Sequence, residues 1–234
     1  RAAAAQALGD YAGAIADLNQ VLAAHPGDPK ALLARGEAQL AAGHADAAID
    51  DATAAISEGT RGGDTDVAAL ILRARAYRRL NQTEAAVADL DLAQRMQPYQ
   101  ARALREKARA LLFGGRWGEA SAAYERLVPL GPGEAEPHGV LAFLRLRTND
   151  LAGAGADIAR GLTAAANDPW LRTLQAEVML RQGKPEQAAI AASTLIAEAK
   201  PTSLLLRIRG FSRLALNRID DALADFTKAT EINP

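Results

Sequence analysis

The sequence predicts an all-α protein of seven helix–turn–helix repeats that stack into a solenoid. Two series of residues predict this fold, and both recur every 34 residues with one exception. Gly or Asn closes a first helix in every repeat, since both residues enter the left-handed backbone region cheaply. These residues are Gly9, Gly43, Asn81, Gly115, Asn149, Gly183 and Asn217. Five residues after each comes an alanine, small enough for two helices to approach closely: Ala14, Ala48, Ala86, Ala120, Ala154, Ala188 and Ala222.

The repeats follow one another along a single predicted domain, residues 1–234. We place them at 1–28, 29–66, 67–100, 101–134, 135–168, 169–202 and 203–234. One interval is 38 residues rather than 34, and we assign the extra residues to a longer loop, TRGGDTD, at 60–66. Asp28-Pro29 and Asp168-Pro169 predict helix starts, because aspartate caps an N-terminus and proline suits the first helical position. Lys184-Pro185 predicts the start of a second helix in the same way.

The second helix of the fifth repeat contains three glycines, Gly153, Gly155 and Gly161. A glycine inside a helix costs about 1 kcal/mol relative to alanine. We therefore expect this helix to be the softest of the array and to act as a hinge.

The repeat pattern resembles the tetratricopeptide repeat (TPR) family along the whole chain. The last repeat matches the family at Leu206, Gly210, Ala222, Phe226, Ala229 and Pro234, and the fourth at Leu104, Ala108, Ala120, Tyr124 and Pro132. His138 and Arg172 depart from the pattern, since the family favours a large apolar residue at their position. The resemblance implies a right-handed α-α superhelix and a non-enzymatic module that binds proteins.

Composition and motifs argue against an enzyme. The chain has no cysteine, three scattered histidines and a net charge of −1. It contains no phosphate-binding loop, no His-Glu-x-x-His and no Gly-x-Ser-x-Gly. We therefore expect no catalytic residue, no metal site, no cofactor and no direct membrane insertion. A net charge near zero without a lysine-rich face argues against nucleic acid. Frequent alanine and a preference for arginine over lysine suggest a bacterial source, with cytoplasm or periplasm as the compartment.

Acidic and basic residues recur at fixed places in the repeats. Aspartate occupies position 23 at Asp17, Asp51, Asp89, Asp157 and Asp225, and arginine occupies position 7 at Arg1, Arg35, Arg73 and Arg209. A row of catalytic carboxylates is one interpretation. The favoured interpretation is a ladder of ion pairs, either between the two helices of a repeat or between neighbouring repeats.

In the TPR family, positions 2, 5, 9, 12 and 13 of each repeat line a concave groove. On this chain those positions are unusually rich in arginine and aromatic residues. The resemblance therefore implies a partner-binding groove formed by Arg75, Arg78, Arg79, Arg102, Arg105, Arg109, Phe113, Phe143, Arg147, Trp170 and Phe211. Arginine binds carboxylates through two parallel hydrogen bonds, and exposed aromatic residues anchor interfaces. The residues of the chaperone-binding clamp known in the family are absent, with Ile71, Arg75 and Glu106 at three of its places.

Three functions remain open. The first is an interaction module or scaffold whose groove binds a protein or peptide with acidic and apolar anchors. The second is a self-assembly or intramolecular docking segment of a larger polypeptide, with contacts through its groove or its bare solenoid ends. The third is a small-ligand sensor, which would have a deep closed pocket near Phe143 and Trp170.

We also expect the chain to be a piece of a longer protein. Arg1 falls inside a first helix of the repeat pattern, and Pro234 closes the last repeat without a polar capping element. Solenoids usually end in such an element.

Overall fold

A computed structural model describes residues 10–58, 63–131 and 133–233 of the protein. Within them lie thirteen α-helices and one short 3₁₀ turn, with no strand, and the chain divides into two compact units, Arg1–Leu130 and Gly131–Pro234. The first unit holds α1 to α7: Tyr11–Ala24, Pro29–Ala41, Ala45–Glu58, Asp64–Arg79, Thr83–Met96, Ala101–Phe113 and Trp117–Leu127, followed by the 3₁₀ turn Val128–Leu130.

The second unit holds α8 to α13: Ala135–Arg147, Leu151–Ala164, Pro169–Arg181, Pro185–Glu198, Ser203–Ala215 and Ile219–Ile232. In both units each helix packs on the next, and the first helices of successive repeats also pack on one another. This is the packing of a helical repeat superhelix. The predicted fold class, an all-α solenoid of the right-handed α-α superhelical type, is confirmed.

The turns between the paired helices have the predicted left-handed backbone. Asn81, Asn149 and Asn217 have φ near +60°, and Gly43, Gly115 and Gly183 lie between +73° and +90°. The series begins at Gly9, which lies outside the described residues. The alanines five residues later are all buried, with at most 2% of their surface exposed. Each repeat therefore turns sharply and then packs its second helix closely on its first.

Helix starts follow the local signals, with one correction. The Asp28 carboxylate accepts a hydrogen bond from the Lys30 backbone N–H at 3.0 Å, and the Asp168 carboxylate accepts one from Leu171 at 2.9 Å. The prediction of a loop over all of 60–66 was wrong at its end, because α4 begins at Asp64. Asp64 and Asp66 lie in the first turn of α4, where negative charge is favoured by the helix dipole.

The repeated aspartates and arginines form ion pairs inside the second, third and seventh repeats. Bidentate pairs join Arg35 to Asp51, Arg73 to Asp89 and Arg209 to Asp225, with shortest N–O distances of 2.6 to 2.8 Å. They link the two helices of one repeat rather than neighbouring repeats, and Arg1, the arginine expected to pair with Asp17, lies outside the described residues. In the fifth repeat, which lacks the arginine at position 7, Arg145 contacts the buried Asp157 instead. These ion pairs therefore fix the position of the second helix against the first in the repeats that contain them.

The glycine-rich helix α9 runs unbroken from Leu151 to Ala164. Its glycines differ in surroundings. A Cβ added at Gly161 would lie 2.9 Å from the Leu171 side chain and 3.3 Å from His138, whereas one added at Gly155 would meet nothing within 4 Å. Gly161 thus allows α10 and α8 to pack closely on α9, and Gly155 has no packing role.

Candidate functional site

The first helices of the first unit form a concave face. The carboxylate of Glu37 on α2 lies 3.6 Å from the guanidinium of Arg75 on α4 and 3.1 Å from that of Arg102 on α6. These helices belong to three successive repeats. An ordinary side chain can reach across the middle repeat only because the face curves inward. These contacts bring two arginines of the predicted groove together across three repeats, and the partner-binding groove itself stays a prediction.

A second cluster lies at the other end of the same face. Glu106 on α6 is buried, and its carboxylate lies 3.5 Å from Arg78 and 3.0 Å from Arg109. The Arg78 guanidinium also stands 5.2 Å from the centre of the Phe113 ring, while 74% of the Phe113 surface stays exposed. A cation over an aromatic face at this distance is attractive by about 0.5 to 1 kcal/mol at exposed sites. Arg78 is therefore held between a carboxylate and a ring.

The two remaining arginines of the first unit differ in exposure. Arg79, at the end of α4, is exposed, and Arg105 on α6 is half-buried. Together with Arg75, Arg78, Arg102 and Arg109 they form what we call the basic face. The carboxylates of Glu37 and Glu106 contact four of these six guanidinium groups, those of Arg75, Arg78, Arg102 and Arg109.

The predicted aromatic residues of the second unit lie on three different helices. Phe143 on α8 is half-buried and packs on the core formed by Ala142, Leu146, Ala154, Ile158, Leu174 and Val178. Phe211 on α12 is 46% exposed and meets the Phe226 ring edge-on, with 4.9 Å between centroids. Arg147, at the end of α8, is exposed. The structure does not bring these three side chains into one cluster.

Trp170 is placed differently from the other aromatic residues. It lies in the first turn of α10, packs against Gly139 of α8 and remains 40% exposed. It lines a cavity of about 800 Å³ between the start of α10, the end of α11 and the start of α12. Phe143 does not line this cavity, which is partly open and so differs from the deep closed pocket near both residues that a small-ligand sensor would have. A smaller concavity of about 190 Å³ lies between α10 and α12 beside Phe211.

An ion pair stands at the edge of the larger cavity. Arg172 donates to both carboxylate oxygens of Glu198, at 2.5 and 3.1 Å. These hydrogen bonds raise the pKa of the Arg172 guanidinium and lower the pKa of the Glu198 carboxyl below its ordinary value. Arg172 departs from the apolar consensus at its position, and the structure gives it a partner on the second helix of the same repeat.

Two carboxylates, those of Glu37 and Glu106, contact these arginines, and the groove positions include only the first of them. Glu106 occupies position 6, outside the set used to define the groove, and is buried beneath it. Its spacing of three residues from Arg109 is the one signal in the sequence, because such residues are neighbours on a helix. Glu37 was visible at a groove position, but its contact with Arg102, 65 residues away, depends on the curvature of the face.

The described ranges show little sign of other chemistry. They contain no group of three or more His, Asp or Glu side chains that could hold a metal ion. No helix among them combines the length and the apolar character needed to cross a membrane. Two acids that each follow another aspartate form ion pairs: Asp51 binds Arg35, and Asp221 binds Arg218 at 2.7 Å.

Comparisons with known proteins agree with this architecture. Two family models described as tetratricopeptide repeat match residues 5–59 and 71–135, which together make up just over half of the chain. A tetratricopeptide repeat and J domain-containing co-chaperone, DNJ1, from Fusarium oxysporum f. sp. lycopersici is 27% identical over 180 residues. That match covers 73% of this chain, which spans about a third (34%) of the length of the curated relative.

Solved structures show the same fold at lower identity. A tetratricopeptide repeat protein from Parabacteroides merdae superposes with a TM-score of 0.72 at 20% identity, covering 100% of this chain and 91% of that one. YrrB, a TPR protein described as having an unusual peptide-binding site, superposes with a TM-score of 0.63 at 18% identity, covering 78% and 92%. The fold is in general that of a non-enzymatic interaction module. The chain belongs to the tetratricopeptide repeat family, and its general function is that of a protein–protein interaction scaffold.

Proposed function

We propose that the basic face of the first unit binds a peptide or protein segment that carries acidic and apolar anchor residues. The observation that supports this most directly is the grouping of six arginines on the first helices of two successive repeats. Arg79 and Arg102 are the exposed members of this group. A concave surface with one sign of charge concentrates oppositely charged ligands near it.

The internal ion pairs favour binding rather than preventing it. Glu37 and Glu106 each contact two guanidinium groups, and a guanidinium has five N–H donors, so donors remain for a partner. An arginine that is already held in place loses less side-chain entropy when a ligand binds. The two glutamates therefore act as braces that hold the arginine side chains ready for carboxylates.

Phe113 supplies the apolar part of the proposed site. Its ring is the most exposed among the phenylalanines of the first helices, and Arg78 stacks on it. Aromatic and arginine side chains are the residues most often found as interface hot spots. A partner with an apolar side chain beside an acidic one would contact Phe113 and the neighbouring arginines together.

The test is a binding measurement with defined peptides. Two fluorescein-labelled pools would be titrated by fluorescence polarisation, one varying Asp, Glu, Leu and Phe, the other with Asn and Gln in place of the acids. Saturable binding of members of the acidic pool, weakened by added salt, is the expected result, since exposed charges are screened. Equal binding of both pools would show that carboxylates are not recognised.

Matched variants then locate the binding on the protein. Arg79→Gln with Arg102→Gln should weaken the affinity at least tenfold, about 1.4 kcal/mol. The control is Arg95→Gln with Arg126→Gln, which removes two exposed arginines from the second helices α5 and α7. If both double variants lose affinity equally, the effect is one of net charge and the basic face is not the site. Replacing Arg109 by glutamate is a poorer test, because the new charge would face the buried Glu106.

A further inference from the structure

The cavity at Trp170 belongs to the second unit, whereas the basic face belongs to the first. Its volume of about 800 Å³ falls within the range of 300 to 1,000 Å³ typical of small-molecule pockets. Much of its wall comes from the end of α11 and the segment that leads into α12, including Leu195, Lys200 and Thr202. These three residues are not groove positions of the repeat, whereas Trp170, Thr173 and Leu204 in the same lining are.

The wall of the cavity is mainly apolar, and the Trp170 side chain in it is held in place. Leu195, Leu204 and Leu205 line it together with Trp170. A Cβ added at Gly139 would lie 2.4 Å from the Trp170 ring, so the indole already rests against the backbone of α8. The ring therefore cannot move closer to α8, and its exposed part is available to a ligand. Leu204 is 39% exposed and presents apolar surface to the cavity.

The charges at the cavity leave one cation without a partner. Arg172 and Glu198 both line the cavity and neutralise each other through their bidentate pair. Lys200 also lines it, is exposed, and forms no ion pair with any residue that the structure describes. The site therefore combines an apolar wall with a net positive charge at its edge.

We propose that this cavity binds a small amphipathic carboxylate. The apolar body would lie against Trp170 and Leu204, and the carboxylate would pair with the ammonium group of Lys200. Arg172 lines the same cavity, and a guanidinium has more N–H donors than its pair with Glu198 uses. The ligand class follows from the combination of apolar wall and single free cation.

Trp170 provides the readout for a direct test. The chain has two tryptophans, so Trp117→Phe in the first unit leaves Trp170 as the sole indole. Decanoate and decan-1-ol would be titrated into this variant below their aggregation limits while the indole emission is recorded. Decanoate should give a saturable shift in emission, and decan-1-ol should bind at least fivefold more weakly because it has no charge for Lys200.

Two pairs of variants in the same background separate the site from general effects. Leu204→Gln and Lys200→Ala should each weaken decanoate binding at least fivefold. The controls are Leu214→Gln, on the same helix at 47% exposure and away from the cavity, and Lys228→Ala, an exposed lysine on α13. Both controls should bind decanoate as tightly as the background variant does.

Four outcomes would overturn the proposal. They are no saturable change with decanoate, equal binding of the alcohol, equal loss in the control variants, and displacement of decanoate by an acidic peptide whose own binding depends on Leu204. The last outcome would assign the cavity to a peptide partner. The variants of the basic face do not touch this cavity, so the two proposals can fail independently.

Discussion

The glycines of α9 give the sharpest prediction about stability, because two of them should respond to the same substitution with opposite signs. Gly155→Ala should stabilise the helix and Gly161→Ala should destabilise it. Both changes add one methyl group to the same helix. The difference comes from the surroundings of that methyl group, which is open at Gly155 and crowded at Gly161.

The magnitudes follow from two competing effects. Alanine in place of glycine inside a helix gains about 1 kcal/mol. Gly155→Ala should realise that gain, since the new Cβ meets nothing within 4 Å. At Gly161 the new Cβ would lie 2.9 to 3.3 Å from Leu171 and His138, both buried, and overpacking of this kind costs about 1 to 3 kcal/mol. The two variants should therefore differ by roughly 2 kcal/mol, or about thirtyfold in a local opening equilibrium.

The assay is amide hydrogen exchange of residues 151–164, followed by mass spectrometry. Local exchange is the suitable measurement because repeat proteins can open one part at a time. Gly155→Ala should slow exchange in α9 and Gly161→Ala should speed it, with helix α5 as the internal reference. Faster exchange in Gly155→Ala, or slower exchange in Gly161→Ala, would refute the assignment of the two glycines.

Three further predictions concern the turns, the close helix contacts and the ion pair at the cavity. Asn81→Ala should lower the midpoint of urea unfolding, because alanine at φ +59° costs about 1 to 2 kcal/mol, whereas Asn81→Gly should not. Ala86→Leu should destabilise by about 1 to 3 kcal/mol in the same assay, since Ala86 is fully buried between two helices. Arg172→Ala should raise the pKa of Glu198 toward its ordinary value of 4.5, measured by NMR titration of the carboxyl carbon. Because the pair lowers this pKa in the folded protein, any stability it adds is present above pH 4.5 and is lost as the pH falls through the lowered value.

The parts of the fold that depend on short-range rules could be predicted from the sequence. The turn at Asn81, the burial of Ala86 and the cap at Asp28 each follow from the conformational preference or size of one residue and its neighbours. The start of α4 could not be predicted from the repeat spacing, because the helix begins at Asp64, three residues before the repeat register places it. Two acids in that first turn favour helix, and a fixed repeat length ignores such local preferences.

The candidate sites were predictable only in part, for a related reason. The repeat register predicted which arginines share a face, but the register carries no information about contacts between distant repeats. Glu37 reaches Arg102 because of curvature, and Glu106 reaches Arg78 from a buried position. The cavity at Trp170 depends on how three helix ends converge, which is a property of packing angles rather than of any motif.

The contact of Glu37 with both Arg75 and Arg102 has a mechanical consequence. This single carboxylate spans three repeats and acts as a tie across the inner side of the curve, so it resists straightening of α2, α4 and α6 relative to one another. A carboxylate from outside that takes either arginine competes with this tie. Occupancy of the face and the bending stiffness of these repeats are then linked quantities, and stretching the unit should change its affinity for an acidic ligand.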